Sequence, residues 1–189
     1  MTKKLPCLPV MFSLLLAASA FAADEHFDGS AYDGKGGFAP VSDPAYAQEC
    51  GACHFAFSPG LLPASSWEKL LSGLNNHFGE SLALSPADVE PMRAYLLANA
   101  ADVSDYKGSE KIMETMPESD PPTRITRVPH IYKSHIVLRW LYKGGRSGVQ
   151  HRTFTNCQAC HRRAGEGSWA LDELVVPGLT KVIETGDMF

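Results

Sequence analysis

A chain of 189 residues allows one or two small domains. Its formal charge of −4 argues against nucleic acid and for partners with basic patches. No apolar run approaches the roughly 20 residues of a membrane span, so no membrane span is expected.

Residues 1–22 read as a cleavable signal peptide, with Lys3 and Lys4 ahead of an apolar stretch and Ala20-Phe21-Ala22 as the small-x-small site. Cys7 lies ahead of that stretch rather than at the cleavage point, which argues against a lipid anchor. A mature chain starting near Ala23 would keep 167 residues, carry a charge of −6 and reside in the periplasm. Residues 23–40 read as an extended arm. Ser42-Asp43-Pro44 starts a helix expected to run into Cys53-His54. A loop from Phe55 to Pro63 follows, then a capping box, Ser65-x-x-Glu68. Trp67, Leu70, Leu71 and Leu74 give the next helix its apolar stripe. His77 falls on the loop beyond it. Ser85-Pro86 and Asp88 start a third helix, with Val89, Met92 and Leu96 as its core face. Asp102 to Arg127 is polar and broken by prolines, and reads as a linker. Pro129 opens a helix predicted to reach Tyr142, and beyond Gly165 little regular structure is expected.

Two pentapeptides carry the chemistry: Cys50-Gly51-Ala52-Cys53-His54 and Cys157-Gln158-Ala159-Cys160-His161. Cys-x-x-Cys-His is the attachment pattern of c-type haem. Two thiols at that spacing reach the two vinyl groups on one porphyrin edge, and the adjacent imidazole sits under the iron. A four-Cys zinc site would not require His after each pair, and a thioredoxin-type dithiol would sit in a βαβ setting that the sequence does not show. Two covalently bound haem c groups are therefore expected, held by Cys50, Cys53 and His54, and by Cys157, Cys160 and His161.

The sixth ligand of each iron decides between an electron carrier and an open, reactive site. His77 is the candidate for the first haem, while Met92 reads as core. For the second haem the candidates are His130, His135 and His151. His135 leads because it shares a helical face with Ile131, Leu138 and Tyr142, and His151 lies only six residues before Cys157. His26 reads as a solvated residue of the arm. The fold class expected is mainly α with extensive loops. A haem domain at 23–105 resembles the class I cytochrome c domain, with His77 where that domain usually places Met. A second haem domain, poor in regular secondary structure, spans 106–189.

The chain also resembles the DHC family of periplasmic dihaem cytochromes c. The resemblance rests on Glu49 to Phe55, Pro59-Gly60-Leu61-Leu62-Pro63, Trp67 and His77-Phe78-Gly79-Glu80. Further on it includes Arg124-Ile125-Thr126, His135 and Asn156-Cys157-x-x-Cys160-His161. It implies low-potential, bis-histidine haems with His77 and His135 as sixth ligands. It also implies electron transfer with a membrane cytochrome b and a small monohaem cytochrome c. The chain departs from the family at Gly167 to Leu171 and from Lys143 to His151. Arg152, Arg162 and Arg163 are basic residues available near the second motif. The competing function is a haem enzyme or gas-binding protein, such as a peroxidase or a nitrogen-oxide or oxygen reductase, in which one iron opens on reduction.

Overall fold

The computed structural model describes residues 35–138 and 156–176. The signal segment, His26, His151 and Arg152 lie outside them. Helix α1 spans Pro44–Gly51; the Asp43 carboxylate accepts from the Tyr46 N–H at 2.7 Å and Pro44 occupies the first turn. The helix stops at Gly51 instead of running on to His54, so Cys50 is helical while Cys53 and His54 lie on the turn beyond. Glycine is a poor helix former, and the chain must double back here. The Tyr46 hydroxyl then donates to the Phe57 carbonyl at 2.8 Å.

The expected loop is part of the core. Its 3-10 turn, Pro59–Leu61, is buried, and Leu62 beside it is fully buried. The Trp67 indole donates to the Pro59 carbonyl at 2.8 Å, and the Ser109 hydroxyl to the Gly60 carbonyl at 3.0 Å. Helix α2 spans Ala64–Ser72, two residues earlier than a Ser65 cap would allow. The expected capping box does not form. Asp102 replaces it from 38 residues away, accepting the Ala64 N–H at 2.9 Å. Trp67 and Leu71 are buried, as the stripe required.

Helix α3 (Pro86–Ala98) is capped as expected by Ser85, with Met92 and Leu96 each 1% exposed. It packs on α2, and Arg93 pairs with Glu68 across that contact. The segment read as a linker carries a helix, α4 (Lys107–Glu114). Its Ser109 and Ile112 are buried, and it packs against the 59–61 turn. The Gly108 N–H donates to the Gly37 carbonyl at 2.9 Å, tying down the end of the expected arm, where Phe38 joins the core. The polar composition of this stretch hides the helix because only one narrow face is covered.

Helix α5 spans Pro129–Ser134 and packs against α4. His135 lies in a turn at its C-terminus, residues 136–138 are again helical, and Tyr142 lies outside the described residues. The C-terminal part consists of 3-10 turns at Cys157–Ala159, Ala164–Glu166 and Leu171–Glu173. Isolated bridges pair His77 with Glu80 and His161 with Leu174, and there is no strand among the described residues. The architecture is mostly helical with extensive loops, as expected.

Candidate functional site

The first site is made by two turns. His54 follows α1, and its Nδ1 lies 2.8 Å from the Phe55 carbonyl. If Nδ1 carries the proton and donates it there, Nε2 is left as the free ligand atom. His77 comes from the turn after α2. Its backbone exchanges hydrogen bonds with Glu80 (2.6 and 3.2 Å), and the two residues between, Phe78 and Gly79, have φ of +57° and +108°. Both lie in the left-handed region typical of type I′ turns, which Gly79 adopts freely and Phe78 only under strain. Asn76 steadies the turn by accepting the Gly79 N–H at 3.1 Å. The Arg124 guanidinium lies 3.9 Å above the Phe78 ring.

These turns place the His54 and His77 rings 6.2 Å apart and nearly parallel, at 21°. The second site repeats the distance with a different angle: His135 and His161 are 6.0 Å apart at 70°. The His135 Nδ1 lies 2.7 Å from the Ile131 carbonyl, again leaving Nε2 free. Two imidazole nitrogens bound at about 2 Å to one iron, each about 1 Å from its ring centre, require ring centres about 6 Å apart. Both pairs meet this requirement. No group of three or more His, Cys, Asp or Glu side chains converges to hold a metal ion among the described residues. Two protein ligands per iron suffice when a macrocycle supplies the other four.

A cavity of about 550 Å³ adjoins the second pair, within the range of cofactor sites. Phe38, Phe57, Leu61, Ile131 and Trp169 give it apolar walls, and Cys157 and Cys160 open onto it beside His161. His130 also lines it, but the ring facing His161 is that of His135. Burial, then His135, lowers the His161 pKa to about 4, and burial followed by His54 and Arg124 lowers that of His77. Both are thus neutral, the form that binds metal. Burial raises the Cys50 and Cys157 thiols to about 11, so neither has the thiolate character of a redox dithiol.

The structure thus brings together His54 with His77 and His161 with His135, each pair next to its two cysteines. Arg163 is engaged by Glu166 and Glu173 at the surface. Two aromatic residues of the sites escaped the sequence reading. Phe57 lies 5.2 Å from the His54 ring and also lines the second cavity, so one side chain separates the two sites. Trp169 packs on His161 at 4.9 Å. Neither carries a periodic signal, although a Trp close behind a Cys-x-x-Cys-His is a composition cue.

A helical frame with two such sites defines a dihaem c-type cytochrome. The dihaem cytochrome c family model, DHC, matches residues 46–169, and the chain belongs to that family. It is similar to the solved diheme cytochrome c from Rhodobacter sphaeroides, at 36% identity over 69% of this chain and 99% of that one, with a TM-score of 0.58. The diheme cytochrome type c from Shewanella baltica OS155 is 28% identical over 71% of this chain and 93% of that one, with a TM-score of 0.55. No curated protein matches the chain. No helix among the described residues is long and apolar enough to cross a membrane.

Proposed function

We propose that the chain is a periplasmic electron-transfer relay with two low-potential, bis-histidine haems, ligated by His54 with His77 and by His161 with His135. The carrying observation is that both histidine pairs stand at the separation a six-coordinate iron needs, 6.2 and 6.0 Å. Bound there, each haem supplies a one-electron ferric/ferrous couple. The chain's own residues set the rest. His54 and His135, donating through Nδ1 to backbone carbonyls, are held in one orientation and made more basic. Two imidazoles per iron favour the ferric state and leave no position for a substrate. Phe57, touching both sites, keeps them within one side chain of each other.

Partners are redox proteins, such as a membrane cytochrome b and a small monohaem cytochrome c. The chain's acidity suits basic patches on them, so the transfer rate should fall with rising salt. Stopped-flow mixing of the reduced protein with either partner tests this, with rapid oxidation as the expected result. Negligible transfer to both, with turnover of peroxide or a nitrogen oxide by the protein alone, would establish the enzyme instead.

His77→Met replaces a nitrogen donor with a thioether on the same turn. The first haem's potential should rise, within the roughly 0.8 V that axial ligation commands across haem proteins. The second should stay within experimental error. A spectroelectrochemical titration in which neither potential moves would remove His77 from the iron.

A further inference from the structure

We propose that Trp169 is a positioning residue that sets the ring plane of His161, and so gives the two haems different ligand fields. The inference rests on the bis-histidine reading above. At the first site the His54 ring is tied to the Phe55 carbonyl, and its plane lies 21° from that of His77. At the second the His135 ring is tied to the Ile131 carbonyl; each site thus has one tied ring, and the Nδ1 of the opposing histidine, His77 or His161, is buried with no hydrogen-bond partner. The backbone of His161 is pinned, its N–H donating to the Cys157 carbonyl at 2.8 Å. Rotation of its ring is therefore limited by packing rather than by a hydrogen bond. Among the described residues, the aromatic ring against it besides that of His135 is Trp169, at 4.9 Å and 46°.

Trp169 is itself held from behind. Phe38 meets it edge-on at 5.4 Å, and the Phe38 N–H donates to the Gly167 carbonyl at 3.3 Å. Gly167 has a φ of +82°, which lets the chain turn back on that segment. A Cβ on Gly37 would stand 2.2 Å from the Gly167 carbonyl oxygen and 2.8 Å from the Trp169 ring, so the close approach requires glycine. The indole Nε1 is buried without a partner in this cavity wall.

An imidazole π orbital raises one of the two iron dπ orbitals, the one perpendicular to its ring plane. Near-parallel rings raise the same orbital and split the pair, whereas rings at 70° raise one each and leave the pair nearly degenerate. The oxidised protein should accordingly show two low-spin ferric signals, one rhombic and one strongly anisotropic. Low-temperature electron paramagnetic resonance of the periplasmically matured protein reads both.

Trp169→Met fills the volume without a fixed ring plane, and should abolish the anisotropic signal while leaving the rhombic one unchanged. Trp169→Phe keeps a ring and should retain both. Gly37→Ala, which drives a methyl group onto Trp169 and the Gly167 carbonyl from another residue of the cavity wall, should reproduce the loss seen with Met. Two rhombic signals in the unmutated protein would overturn this inference alone, as would an anisotropic signal unchanged in both Trp169→Met and Gly37→Ala. A high-spin second haem would instead overturn the ligation reading, and this inference with it.

Discussion

Replacing His135 with glycine should convert a chain that binds no carbon monoxide into one that binds a single equivalent when reduced. His135 sits at the C-terminal cap of α5, with φ −108° and ψ 4°, a conformation any residue adopts. Glycine is well tolerated at helix C-termini, so the helix survives the change. The side chain lost is the one whose ring faces His161 across 6.0 Å. Its removal leaves the second iron with an open position in the space the imidazole vacates, among the apolar walls of Phe57, Leu61 and Ile131, and a diatomic ligand is smaller than an imidazole. Cys157 and Cys160 are untouched, so both thioethers and the haem stoichiometry should persist. Carbon monoxide difference spectra check the result. If His130→Ala opens the site and His135→Gly does not, the ligand is His130, which lines the same cavity.

Met92→Ala should be severe in a different way. Met92 is 1% exposed on α3 and belongs to the core that α2 and α3 build with Trp67, Leu71 and Leu96. Truncating a buried Met to Ala costs about 2–5 kcal/mol, the transfer free energy plus the cavity left behind. That is a large part of the stability of a small domain. The haem spectrum and both potentials should not change, because His77 rather than Met92 faces His54. Denaturant unfolding gives the first quantity and a redox titration the second. A shift in the first haem's potential without loss of stability would place Met92 at the iron instead.

Much of this was readable locally. The Asp43 and Ser85 caps act within three residues, so their signals are complete in a short window. The α2 and α3 stripes were readable because each helix buries one broad face against the other. Helix α4 was not, since the residues that bury it, Gly60 and Gly37, lie 49 and 71 positions away from Ser109 and Gly108. The Ser65 cap failed for a related reason: Asp102, remote in sequence, satisfied the helix terminus first.

The covalent part of each haem site is a property of the sequence by itself. Two thiols and an imidazole within five residues need no fold to bring them together, and neither the doubled motif nor the chemistry it implies depends on packing. The opposing histidine is different, because it arrives on a separate element. Which of His130 and His135 faces His161 depends on where α5 ends and how it docks on α4. The angle between the rings goes further still: it depends on what restrains the imidazoles, a carbonyl for His54 and His135 and an indole for His161. Only the tertiary structure decides that, because those restraints come from Ile131, Phe55 and Trp169, whose positions no local spacing records.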